Sequence, residues 1–165
     1  MTKIIRILQL IVPLILVIAP FFYRGKYRWL VEFCIDMAVR PKYRKVYMLV
    51  LSLVVVIFSY SFFALDGASL WQVPTLLLGF VLLRYKFTDA MLHWIHEDRV
   101  ILGIALGMVM FSMVVPQLYS LSASMALVMT AAMFYPSRAI IEMAKVDRFR
   151  LEYSMSDEDI IDLYF

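Results

Sequence analysis

The stretch VYMLVLSLVVVIFSYSFFALDGASLWQVPTLLLGFVLL, residues 46–83, contains one charged side chain, Asp66, in 38 residues. A second stretch of 38 residues, 100–137, contains none. A transmembrane helix needs about 20 apolar residues to cross the hydrocarbon core, so each stretch is almost twice the length of one crossing. Polar breaks lie near the middle of both stretches, at 66–69 and 116–120. We therefore predict an all-α integral membrane protein with two transmembrane helical hairpins, 46–83 and 100–137.

Composition supports a membrane protein. Of the 165 residues, 64% are hydrophobic and 18% are charged, and the mean hydropathy is +0.83. Nearly all the charges lie in a few short stretches, whereas a soluble domain of this length has charged faces along its helices. No polar segment is long enough to bury a core of its own, so we expect a single membrane domain, 1–165. Cys34 is the only cysteine, which excludes an intramolecular disulfide.

Aromatic side chains, which favour headgroup depth, indicate where the membrane helices end. On this basis we divide the hairpins into transmembrane helices 46–64, 69–84, 99–117 and 119–136. An N-terminal hydrophobic helix, 7–23, is expected either to cross the membrane or to be re-entrant. Its 17 uncharged residues and two prolines are marginal for a crossing. The sequence leaves five crossings and four crossings as alternatives.

Lysine and arginine residues set the predicted orientation. Seven of them lie between residues 24 and 45, and the two hairpin turns have none. The positive-inside rule then places the turns outside and the C-terminal tail, 137–165, in the cytoplasm. The predicted location is the bacterial inner (plasma) membrane, with several crossings.

Residues 27–39 are predicted to form an amphipathic interfacial helix, because apolar and charged side chains recur on different faces. This helix would anchor the hairpins in the headgroup boundary, or it would dock a protein partner or anionic lipid. The tail ends in an acidic turn and apolar residues, which would fold back on the basic segment 24–45 or insert into a partner. The predicted partner-docking or lipid-docking residues are Arg28, Trp29, Phe33, Arg40, Arg44, Lys45, Asp159, Ile160, Tyr164 and Phe165.

A polar cluster between the hairpins has the residue types of a metal site. On a helix, His93 and His96 share a face, with Asp89 and Glu97 one turn from His93. A metal site, a pH-responsive structural role, and interfacial histidines that bond to water or headgroups are the alternatives. We predict the last of these, and no metal or other cofactor, because the pattern is unspecific and the chain has only two histidines.

Small residues indicate helix packing within the second hairpin. Gly103 and Gly107 form a GxxxG pair, and Ser122 and Ala126 form a matching pair on the next helix. We expect these pairs to seal the hairpin, with contact to another subunit as the alternative. No predicted span has an ionisable residue in its interior, which argues against secondary transport. Motifs for a nucleophile elbow, a phosphate loop or a zinc protease are missing, so we expect no enzyme.

The expected function is that of a small polytopic inner-membrane scaffold, an accessory subunit of a larger complex of the secretion, conjugation or defence type. It would bind protein partners through its cytoplasmic segments. One alternative is a homo-oligomeric pore or membrane-disrupting effector, and another is an immunity or exclusion protein against a membrane-acting toxin or phage. The expected partners are membrane lipids and proteins, in a hetero-complex or a homo-oligomer, and not nucleic acid. These expectations rest on size and topology alone.

Overall fold

The computed structural model describes residues 28–66 and 70–146, together with Ile11, Ile15 and Ile18, and this part of the chain is all-α, as predicted. Short 3-10 turns occupy Leu70–Gln72 and Pro116–Leu118. The α-helices of the described ranges are α1 (Arg28–Val39), α2 (Pro41–Asp66), α3 (Val73–Leu82), α4 (Tyr85–Glu97), α5 (Arg99–Val114), α6 (Tyr119–Met133) and α7 (Arg138–Val146).

Several sequence predictions fall outside the described residues. They are the N-terminal helix 7–23 apart from its three described isoleucines, which are helical, and the tail beyond residue 146. The docking residues of the tail are therefore also outside: Asp159, Ile160, Tyr164 and Phe165. The side chains of Arg28 and Trp29 lie outside the description as well, although both residues belong to α1.

Proline and aspartate residues determine where the helices start and stop. Pro41 is the first residue of α2, a position where its missing N–H is not needed, and the preceding Arg40 is pushed out of the helical conformation. Asp98 separates α4 from α5 and caps the latter, because the Val100 N–H donates to Asp98 Oδ1 at 2.8 Å. Val115 is extended, as expected for a residue before a proline, and α5 ends there.

Each pair of consecutive apolar helices packs together, and the two pairs lie side by side. α2 contacts α3, and α5 contacts α6. The two 3-10 turns contact each other, so both reversals lie at one end of the bundle. At the opposite end, α4 joins the two pairs and contacts α3, α5 and α6, and α1 packs against α7. The polar segments of the described chain therefore collect at this opposite end.

α6 lies at the centre of the bundle. It contacts α2, α3, α4 and α5, which its small side chains permit because they let neighbouring backbones approach closely. Ala123, Ala126 and Ala132 on this helix are fully buried. Around it lies the main core, with fully or almost fully buried Val55, Leu82, Leu92 and Tyr135.

The observed helices differ in length from the predicted spans. Where 46–64 was predicted, α2 starts five residues earlier and ends at Asp66; where 69–84 was predicted, a 3-10 turn precedes a shorter α3. α5 and α6 start as predicted for 99–117 and 119–136 but end three residues early, because a proline follows each end two or three residues later. The segment between the hairpins is itself a regular helix, α4.

Within the described ranges, two segments are long and apolar enough to cross a membrane. Pro41–Ala64 has 24 residues and a hydropathy of 2.3, and Tyr119–Val146 has 28 residues and a hydropathy of 1.3. The second is interrupted at residues 134–137, so α6 itself has 15 residues. α3 and α5 are apolar but shorter. This assignment follows from the length and composition of the segments.

The expected sealing of the second hairpin by glycines is corrected. A Cβ atom built on Gly103 or Gly107 meets no atom within 4 Å, so neither glycine touches α6. Ser122 and Ala126 are buried as expected, but they face Val109: the Ser122 hydroxyl donates to the Val109 carbonyl at 3.2 Å, and Ala126 packs in the same cluster. The contact face of α5 includes residues 102, 105, 109 and 113. Gly103 lies about 100° around the helix from residue 102, which turns both glycines away.

Candidate functional site

The predicted polar cluster lies on α4, where this helix crosses the break between α6 and α7. His93 points inward, with its side chain 7% exposed. Its Nε2 is 3.9 Å from Asp89 Oδ1, and its Nδ1 is 3.9 Å from Glu97 Oε1. The imidazole meets the ring of Tyr135 edge-on, with 5.0 Å between the ring centroids. The structure therefore brings His93 together with both predicted carboxylates and with a tyrosine from the second hairpin.

Tyr135 is the residue of this site that the sequence analysis missed. It is fully buried in the break after α6, and its hydroxyl donates to Asp89 Oδ1. From sequence it was interpreted as one of the aromatic rings at headgroup depth. Its place directly before Pro136 predicts a helix end there, but nothing in the sequence shows that its side chain meets α4.

The other two cluster residues fasten α4 to the helices on either side of the break. His96 Nδ1 is hydrogen-bonded to the Ala132 carbonyl of α6 at 3.0 Å. Glu97 accepts the Arg138 backbone N–H at 2.8 Å and lies 3.5 Å from the Arg138 guanidinium. Since Arg138 is the first residue of α7, this carboxylate caps the start of α7. We call the contacts of α4 with Ala132, Tyr135 and Arg138 the α4 clamp.

The clamp corrects the predicted role of the histidines. His93 is buried against Tyr135 and so does not face water or headgroups as we expected, and His96 is half-buried with its Nδ1 bonded to the Ala132 carbonyl. Burial lowers the pKa of His93 and outweighs the nearby carboxylates of Asp89 and Glu97, which raise it. Among the residues that the structure describes, no three His, Cys, Asp or Glu side chains are grouped so that they could hold a metal ion.

A charged cleft of about 370 Å³ opens beside the clamp, between α2, α4 and α7. Its lining includes three basic side chains, two carboxylates, a tyrosine and the buried histidine: Arg44, Arg138, Lys145, Asp89, Glu142, Tyr85 and His93. Arg44 is held in place because its Nη1 donates to the Met37 and Ala38 carbonyls, at 3.3 and 3.2 Å, near the C-terminal end of α1. Lys45 lies next to the cleft, with its ammonium 5.3 Å from the centre of the Tyr85 ring.

The apolar face of α1 is covered, which changes its predicted role. Val31, Cys34 and Ala38 are buried against Ile140, Ile141 and Ala144 of α7. The predicted docking residue Phe33 is half-buried, and its ring lies 6.1 Å from the ring of Tyr47. Arg40 is exposed and pairs with Asp36 at 3.4 Å. The described part of α1 therefore presents its polar side outward and uses its apolar side to hold α7.

Together these features define, for the described residues, an all-α bundle with two apolar segments of membrane-crossing length and a charged cleft at one end. No family model, curated protein or solved structure matches this chain.

Proposed function

We propose that this chain is a polytopic inner-membrane scaffold, an accessory subunit that holds a protein partner at the end of the bundle formed by α1, α4 and α7. Three properties support this proposal: the apolar outer surface, the polar bonds between helices, and the rigid charged end.

The outer surface of the bundle suits lipid better than water. Only 33% of the most apolar 18-residue stretch of α2 is buried, whereas the core helix of a soluble protein is mostly buried. Contiguous exposed apolar surface of this extent is rare on soluble monomers. Lipid would cover the large exposed side chains of α2 and α5, which include Leu49, Leu53, Ile57, Tyr60, Ile104, Met108 and Phe111.

Hydroxyl groups form hydrogen bonds between the helices, as is common in membrane proteins. The Ser52 hydroxyl donates to the Gly79 carbonyl at 3.4 Å, and the hydroxyls of Thr75 and Ser120 lie 3.0 Å apart. α3 and α6 contain no ionisable acid, base or histidine, and α5 has only Arg99 at its first position. Such an interior favours a scaffold over a transporter, because ion or proton transport needs charged partners inside the membrane.

The observation that carries the partner-binding proposal is the α4 clamp. It fastens α4 to the end of α6 and the start of α7, and α1 packs against α7, so α1, α4 and α7 form one surface with a fixed arrangement of charges. A partner that contacted all three helices would meet little conformational freedom, which lowers the entropy lost on binding. The acidic and apolar residues 154–165 of the tail are the further docking element in this proposal.

A purification from native membranes in mild detergent tests the proposal. The tagged full-length chain should copurify with another protein in fixed stoichiometry. Deletion of Ser154–Phe165 should abolish this, and a chain with the same twelve residues in scrambled order should behave like the deletion. Copurification that survives both changes would exclude the tail as the docking element, and a chain that purifies alone would exclude the scaffold. Capture of a toxin or phage component would instead support the immunity alternative.

One observation favours the homo-oligomer as a second candidate. Gly103 and Gly107 lie open on the outer face of α5, with room for the backbone of another helix. A second copy of the chain could approach there as closely as GxxxG helices do. Monomers in mild detergent and no conductance in planar bilayers would exclude both the oligomer and the pore.

A further inference from the structure

The charged cleft between α2, α4 and α7 has the lining of a binding site for a small polar group. Its volume of about 370 Å³ is at the small end of the ~300–1,000 Å³ range of small-molecule sites, which suits a polar headgroup rather than a whole lipid. We infer that it binds the headgroup of a membrane phospholipid that carries both a phosphate and an ammonium group, as in phosphatidylethanolamine. This inference rests on the membrane placement proposed above.

Three cations from two distant parts of the sequence converge on the cleft. Arg44 comes from the first turn of α2, and Arg138 and Lys145 come from opposite ends of α7. The contacts of Arg44 with α1 and of Arg138 with Glu97 fix the two guanidinium groups while using only some of their five N–H donors. Lys145 forms no ion pair with any residue that the structure describes. Donors of this kind are suited to the oxygens of a phosphate.

Two carboxylates in the same lining argue against a ligand that is only anionic. Glu142 lies on α7 between Arg138 and Lys145, and Asp89 lies across the cleft on α4. They would attract an ammonium group near the phosphate, whereas the uncharged glycerol of phosphatidylglycerol gains no such attraction. The mixed lining therefore favours a zwitterionic headgroup over phosphatidylglycerol. The ammonium must carry N–H donors to bond to the carboxylates, which favours ethanolamine over choline.

The position of the cleft fits a headgroup at the membrane surface. The cleft lies at the polar end of the bundle, where α2 and α4 begin. Tyr85, an aromatic residue of the type that favours headgroup depth, forms part of the lining. A headgroup in the cleft would therefore lie at its usual depth in the membrane placement proposed above.

Native mass spectrometry of the purified full-length protein tests this inference with phosphatidylethanolamine, phosphatidylglycerol and phosphatidylcholine of identical acyl chains. The wild type should retain one phosphatidylethanolamine per chain and hold it more tightly than the other two lipids. Lys145→Gln should weaken this binding about fivefold, the usual contribution of one basic residue near a lipid surface. The matched control Lys86→Gln, an exposed lysine of α4 outside the cleft lining, should leave it unchanged. Glu142→Gln should reduce the preference over phosphatidylglycerol.

Equal binding of the three lipids, or equal effects of Lys145→Gln and Lys86→Gln, would overturn the inference. Circular dichroism of each variant should match that of the wild type, since both lysines are exposed. Displacement of the lipid by millimolar inorganic phosphate would show that the cleft takes free phosphate and would overturn the assignment to a lipid. Loss of lipid selectivity with intact partner capture would refute this site alone. Recovery of the wild type outside the membrane fraction would refute the membrane placement.

Discussion

Replacing Tyr135 by Phe tests the contact that fastens α4 to the break between α6 and α7. The change removes the hydroxyl that donates to Asp89 Oδ1 and leaves the fully buried ring in place. A hydrogen bond to a charged group contributes ~1.5–3 kcal/mol. The Asp89 side chain is 34% exposed, so water replaces part of the lost bond and the lower end of that range applies. We expect the free energy of unfolding to fall by about 1.5 kcal/mol, or Tm by about 3–6 °C for a chain of this length.

The assay is thermal unfolding in detergent, followed by circular dichroism, with two tyrosine controls. Tyr60→Phe should leave Tm unchanged, because Tyr60 is 69% exposed. Tyr47→Phe removes a hydroxyl that donates to the Ala131 carbonyl at 2.9 Å, a neutral hydrogen bond worth ~1 kcal/mol. It should therefore fall between the other two variants.

A double-mutant cycle separates this hydrogen bond from changes in packing. Asp89→Ala alone, Tyr135→Phe alone and the two together should give a coupling energy of about 1 kcal/mol, since residues in direct contact are not additive. A coupling energy near zero would refute the reasoning, as would a Tyr135→Phe variant with the same Tm as Tyr60→Phe.

Three more predictions follow from the clamp and from α5. Glu97→Ala removes the cap of α7 and the pairing with Arg138, and should lower the free energy of unfolding by about 1 kcal/mol, whereas Glu97→Gln should recover part of this in the same thermal assay. Because the pKa of His93 is lowered in the folded state, the unfolded chain binds more protons just below pH ~6.5, and stability should decline as pH falls through that range. His93→Asn should remove this part of the decline, and an unchanged pH profile would contradict the buried neutral imidazole. Gly107→Leu should abolish any oligomer seen by crosslinking without lowering Tm, because no atom lies within 4 Å of its Cβ position; an unchanged oligomer would exclude this face.

The local features of the fold could be predicted from the sequence. The uncharged stretches predicted apolar helices, and the polar breaks at 66–69 and 116–120 predicted where they reverse, because both signals depend on neighbouring residues. The amphipathic pattern of 27–39 likewise predicted α1.

Contacts between distant residues could not be predicted in this way. The pattern of α1 showed an apolar face but not that α7 covers it, and the GxxxG motif did not show which face of α5 meets α6. The spacing of His93 and Glu97 places them one turn apart wherever the segment is helical, but their partners Tyr135 and Arg138 come from about 40 residues away. Such pairings depend on how helices rotate against each other, which a single sequence does not specify.

Labelling of introduced cysteines tests most directly the claim that the hairpins cross a membrane with both turns on one side. The native Cys34 is fully buried and should not react, so it gives a silent background. Leu70→Cys, at a position of the first turn where the native side chain is 87% exposed, should react with a membrane-impermeant maleimide on intact cells. Lys86→Cys and Lys145→Cys, at the opposite end, should react only after the membrane is permeabilised. Labelling of Lys86→Cys or Lys145→Cys on intact cells, or protection of Leu70→Cys there, would contradict the account.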